Sequence, residues 1–179
     1  MAGPVLIPAA SVLLLRDSPL EVLMILRHEN SSFVPSVWVF PGGAIEDGET
    51  AHDAAVREVF EETAVQLTGE LVPTSRWITP EGLPKRFDTL FFLTAVPRDV
   101  PVTLQEEEAV QSCWITPAGA LARHIAGEMP MVFPTIRNLE AIAGASSTAE
   151  LIASRRGALI EPVQPVMIVA DGRRRIVLP

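Results

Sequence analysis

The chain has 179 residues, 48 % hydrophobic and 20 % charged, which is enough for one folded core and too apolar for a disordered chain. Its net charge of −8 excludes the basic surface that a nucleic-acid polymer would need, and no stretch approaches the apolar length of a transmembrane helix. The lone Cys113 has no partner for an intramolecular disulfide; with no targeting segment in the opening residues, the expected location is cytoplasmic.

In chain order, Ala9 to Arg16 and Glu21 to Arg27 read as a hairpin around Asp17, Ser18 and Pro19. Val37 to Phe40 is a short strand feeding a glycine loop at Pro41, Gly42, Gly43 and Gly48. Thr50 is an N-cap with Asp53 three residues on, so a helix starts just after Glu49 and runs to about Thr63. Residues 67–79 and 87–96 are two further extended runs. Helices are expected from Pro117 to about Ala126, from Pro134 to Ala143 and from Ala149 to Arg156. The end, Pro165 to Leu178, is a hairpin turning at Asp171 and Gly172, with an apolar face available to another subunit's sheet edge, so a homodimer stays open. The whole is expected as a single domain over residues 1–179, with a C-terminal extension from about residue 145.

The densest chemistry lies in Gly43 to Val65, GAIEDGETAHDAAVREVFEETAV. Glu58, Glu61 and Glu62 stand at i, i+3 and i+4 and so share a helix face, with Val56, Val59 and Phe60 expected roughly opposite. Like charges at that spacing cost a helix about 0.2–0.5 kcal/mol per pair. A hard cation such as Mg²⁺ or Mn²⁺, which prefers oxygen ligands and bridges to substrate phosphates, turns that repulsion into binding. Gly42 and Gly43 let the loop backbone approach a ligand closely, and the helix N-terminus beyond favours anions. Glu49 and Arg57 are of opposite charge and could form a surface ion pair.

This order of Gly43, Glu49, Arg57, Glu58, Glu61 and Glu62 resembles the box of the Nudix hydrolases, with Ala64 where the family pattern has Gly. The resemblance implies an α/β/α sandwich with a mixed β-sheet, and metal-dependent hydrolysis of a nucleoside diphosphate linked to another group. It implies that Glu58, Glu61 and Glu62 hold Mg²⁺ or Mn²⁺, that Glu49 bonds to Arg57, and that a backbone carbonyl near Gly42 completes the site. The flanking runs Arg27 to Gly43, Arg76 to Leu93 and Gln105 to Leu121 resemble the branch that includes mammalian peroxisomal coenzyme A diphosphatases. The partner so implied is a small-molecule diphosphate: CoA or acyl-CoA, with ADP-ribose, NADH and dinucleoside polyphosphates as alternatives. A nucleotide-sensing domain without turnover is the competing class.

Arg27 and Arg86 are candidates for gripping phosphate oxygens through paired guanidinium bonds, or else surface arginines. Phe33 and Trp38 suit either base stacking or a core role. His28, His52 and His124 share no metal-ligand spacing. For the run Glu106, Glu107, Glu108, the resemblance implies that one carboxylate helps activate water or holds another metal, the alternative being a solvated acidic loop; Glu108 is the first choice and Glu107 the reserve.

Overall fold

The computed structural model describes residues 5–179, so the first four residues of the expected domain lie outside it. β1 (Leu6–Arg16) and β2 (Glu21–Arg27) form the expected hairpin, and β3 (Trp38–Val39) pairs with β2. β4 (Gly42–Ala44), α1 (Ala51–Thr63), β5 (Val72–Ile78), β6 (Arg86–Ala95) and β7 (Ala109–Ile115) follow. Three helices come next, α2 (Pro117–Ile125), α3 (Phe133–Ile142) and α4 (Thr148–Arg155), then β8 (Pro162–Val163), β9 (Val166–Ala170) and β10 (Arg173–Val177).

The main sheet runs β3-β2-β1-β6-β5-β8, with β4 added on β1 and β7 on β2, while β9 and β10 make a separate two-stranded sheet. The β1–β6 pair is parallel and the β1–β2 pair antiparallel, so the sheet is mixed. Crossing between parallel neighbours needs a long connection, and α1 lies within it. Strand β1 is buried on both faces, hence its unbroken Val12-Leu13-Leu14-Leu15. Its alternation separates two cores. Ala10, Val12 and Leu14 pack with Ala54, Ala55 and Val59 of α1. Leu13 and Leu15 belong to the opposite core with Ala120, Leu139, Ile142 and Leu151 of α2, α3 and α4. Helices therefore cover both faces, as an α/β/α sandwich requires.

Several boundaries depart from the sequence reading. The glycine loop is partly a strand, because Gly42, Gly43 and Ala44 pair with Ser11, Ala10 and Ala9. Strand β7 passes unnoticed in the sequence since four of its seven residues are Gln111, Ser112, Cys113 and Trp114, with no clean apolar alternation. The expected run 67–79 is a strand only from Val72. Helix α1 does not pack through Val56 and Phe60: Phe60 is 55 % exposed, and the buried set is Ala54, Ala55, Val59, Glu62 and Thr63. The small alanines let α1 lie close to the sheet, which carries Glu62 inward. The C-terminal segment stays attached to this body, since β8 pairs with β5 and Asp17 accepts from the Thr148 amide at the start of α4.

Candidate active site

Helix α1 starts where its capping box sets it: the Thr50 hydroxyl accepts from the Asp53 amide, and Asp53 reaches back to the Thr50 amide. It ends at Ala64, which takes a left-handed conformation with φ 56° and donates its amide to Phe60 O. The chain beyond returns to the same helix end, where the Thr103 and Gln105 amides donate to the Thr63 and Glu62 carbonyls. Those bonds satisfy carbonyls that a helix C-terminus leaves open. They also deliver residues 105–108 beside α1, while the His28 amide donates to Glu108 O and ties that loop to the end of β2.

Three carboxylates meet there. One oxygen each of Glu58, Glu62 and Glu108 lies within 4.8 Å of the others. Glu62 is 8 % exposed and accepts from the Gly42 amide at 2.8 Å. Burial pushes its carboxyl up to about 8, and the neighbouring Glu58 and Glu108 charges push the same way against the Gly42 bond. Burial also raises Glu58, opposed by its bond to Arg57. Both glycines of the loop are required by proximity. A Cβ on Gly43 would sit 2.5 Å from the Glu58 carboxylate, and one on Gly42 would sit 2.3 Å from Ala10 O.

Arg57 organises the outer edge. Its Nε and Nη2 bond the two oxygens of Glu49 at 2.7 and 2.9 Å, Nη2 also reaches Ala44 O at 3.0 Å, and Nη1 bonds Glu58 at 2.8 Å. The paired hydrogen bond from Arg57 holds Glu49 down to about 2, and Arg57 is itself raised by Glu49. One side chain thus joins the loop, the helix and a carboxylate of the cluster. Glu61 stands apart: it is half exposed and bonds Arg57 Nη1 at 3.2 Å.

The cluster opens into a pocket of about 650 Å³ whose walls include Arg27, Phe33, Trp77, Lys85, Phe87 and Phe133. Arg27 is anchored by Ser31 Oγ through Nε and Nη2 and is lowered by burial, with Glu62 and Glu108 opposing. Glu107 also lines the pocket, whereas Glu106 does not. Arg86 is not brought there: its Nε donates to Thr79 O, while Phe87 in β6 and Lys85, just ahead of the strand, line the pocket. Lys85 is a residue that sequence reading missed; it sits in a bend ahead of β6, where no periodicity marks it. Trp38 is 4 % exposed in the core, while Phe33 meets Phe87 edge to face in the pocket wall. His52 stays at the surface, His28 accepts from the Asn30 amide, and His124 contacts Met129 O.

A mixed sheet lies between helices, with a glycine loop and an acidic helix converging on three carboxylates, of which Glu62 is buried and Glu108 exposed, a donor set suited to a hard cation. The NUDIX domain profile matches residues 5–134, and the chain belongs to the NUDIX family. Among similar proteins, nudix hydrolase 7 of Arabidopsis thaliana is 31 % identical over 59 % of this chain and 38 % of its own. The human m7GpppN-mRNA hydrolase NUDT17 is 30 % identical over 61 % of this chain and 38 % of its own. The crystal structure of a NUDIX hydrolase from Alicyclobacillus acidocaldarius shares the fold with a TM-score of 0.76 at 23 % identity, covering 85 % of this chain and 97 % of that one. The chain spans 58 % or less of the length of the curated relatives it matches.

Proposed function

We propose that the chain is a metal-dependent pyrophosphohydrolase cleaving a diphosphate linkage in a nucleoside diphosphate derivative. The observation that carries this reading is the meeting of Glu58, Glu62 and Glu108 within 4.8 Å around a carboxylate that is 8 % exposed. Three such groups repel one another, and Glu62 also loses its hydration, a cost that a bound cation offsets. The all-oxygen donor set fits Mg²⁺ or Mn²⁺. When bound, such an ion supplies charge neutralisation for a diphosphate and Lewis-acid activation of water.

The protein's own residues do the rest. The Gly42 amide fixes one oxygen of Glu62 and leaves the other free to ligate. Arg57 holds Glu58 in place and locks the loop through Glu49. Arg27 brings a guanidinium to the phosphates, which it grips through charge-assisted bonds. Glu108, exposed at the pocket edge, accepts the proton of the attacking water as the new oxygen–phosphorus bond forms and the anhydride bond breaks. Two phosphomonoesters result. Glu61, at the rim on Arg57, is placed to add charge for a further cation.

Coenzyme A is the finer candidate, supported by the flanking runs Arg27 to Gly43 and Arg76 to Leu93. Incubating the purified protein with a panel of diphosphate metabolites and Mg²⁺ or Mn²⁺, followed by mass spectrometry, tests both levels. Cleavage of CoA to 3′,5′-ADP and 4′-phosphopantetheine supports the candidate. Cleavage of ADP-ribose with CoA untouched removes CoA and keeps the hydrolase; no turnover of any member removes the hydrolase.

A further inference from the structure

We propose that the pocket has a second half, built for a hydrocarbon group of the substrate, and that the C-terminal hairpin forms one of its walls. The reaction at the acidic cluster rests on the hydrolase reading above; the binding of the hydrocarbon does not. A diphosphate needs only part of a cavity of about 650 Å³, a size typical of sites that engulf a drug-sized ligand. Apart from Arg27, Lys85, the carboxylates and a few hydroxyls, the lining is aromatic and aliphatic. Phe33 and Phe87 meet with ring centroids 4.8 Å apart, and Trp77 and Phe133 with centroids 5.8 Å apart.

Pro165 and Ile176 complete this side, and both lie beyond the residues 5–134 that match the family profile. Pro165 is buried just ahead of β9, while Ile176 is 38 % exposed and stands opposite Met167 across the hairpin. A two-stranded hairpin is marginal alone in water. Its apolar side chain at the pocket wall is left half covered, as a wall awaiting a ligand would be.

Several polar groups of these walls are already engaged. Thr79 Oγ1 accepts from the Phe87 amide, Thr79 O accepts from Arg86, and the Ser11 hydroxyl donates to Pro41 O. The Trp77 N–H has no partner, but it is shielded from solvent. A nucleobase brings several edge groups that must be satisfied on burial, whereas a hydrocarbon brings none. The occupant that fits is an alkyl or alicyclic group carried by the diphosphate.

The test uses ADP esters whose second phosphate bears a methyl, butyl, hexyl or octyl group, with binding measured by calorimetry in Mg²⁺ and hydrolysis followed in parallel. In the native chain, Kd should fall about threefold to fourfold per methylene that enters the slot, the equivalent of ~0.8 kcal/mol each. In Ile176→Ser, a change at a partly exposed position that leaves the core intact, the dependence should flatten to about twofold or less per methylene while the methyl ester binds as before. A flat series in the native chain, no binding of any ester, or a slope untouched by Ile176→Ser overturns the proposal. Tighter binding of a dinucleoside diphosphate than of the octyl ester also overturns it, in favour of a base. A steep series without hydrolysis sustains the slot while sinking the hydrolase reading.

Discussion

Glu62→Gln keeps the size of the side chain and its acceptor for the Gly42 amide, but removes a charge held at 8 % exposure. The wild-type carboxyl is raised from 4.5 to about 8, chiefly by burial. At about 1.4 kcal/mol per tenfold change in proton affinity, that sets a ceiling of ~5 kcal/mol. A group raised on folding favours the folded state fully below its unfolded value, and that contribution is lost as pH climbs through the folded one. The metal-free wild type should therefore lose stability between about pH 4.5 and pH 8, while the Gln variant lacks this slope. By pH 8 the variant should melt higher by up to roughly 10–20 °C, taking about 2–4 °C per kcal/mol for a chain of this size. Saturating Mn²⁺ should narrow that gap, since a ligand at 100 times its Kd stabilises the native state by about 2.7 kcal/mol and the variant binds it less well. Hydrolysis should fall by orders of magnitude in the variant. Melting curves from pH 5 to pH 9 in chelator and in Mn²⁺ provide the assay. Parallel metal-free curves for the two proteins would refute the claim that Glu62 is a buried, strained charge.

Ala64→Gly should stabilise the protein by roughly 0.5–1 kcal/mol, the left-handed penalty less the greater freedom of glycine in the unfolded chain; a lower midpoint in urea would contradict the observed φ of 56°. Trp77→Phe deletes an indole N–H that is buried without a partner, so its cost should stay within about 1 kcal/mol by thermal melting, and a loss above about 3 would show a hidden acceptor. Glu108→Gln should reduce the Mn²⁺-induced rise in Tm and the rate, whereas Glu106→Gln, outside both cluster and pocket lining, should change neither; equal effects would break the assignment.

What the sequence revealed and what it hid follow from range. The capping box at Thr50 and Asp53, the acidic spacing and the Glu49–Arg57 contact are written within fifteen residues, where helical period and hydrogen-bond geometry leave few choices. The two cores were half legible, since the unbroken apolar run of β1 marks a central strand but does not name its neighbours. Glu62 read as one of three equivalent ligands; only the packing of Ala54, Ala55 and Val59 shows that it is the most buried of them and that Glu61 stays exposed on Arg57. Glu108 is 46 residues from Glu62, and its approach depends on the Thr103 and Gln105 amides docking on the end of α1, which no local pattern encodes. Arg86 opens β6 and bonds Thr79 O, while Lys85, in the bend before it, lines the pocket, a difference that no local pattern marks. The contribution of Ile176 to the pocket is tertiary throughout.

The central claim is that Glu58, Glu62 and Glu108 together hold the catalytic cation. Crystals grown with Mn²⁺ and a non-hydrolysable diphosphate, measured at the manganese edge, test it most directly. The account predicts an anomalous peak within about 2.0–2.4 Å of oxygens from all three carboxylates, with the diphosphate on its open side. A fully occupied peak bound by Glu61 and solvent, with Glu62 still facing the Gly42 amide and unligated, would contradict it.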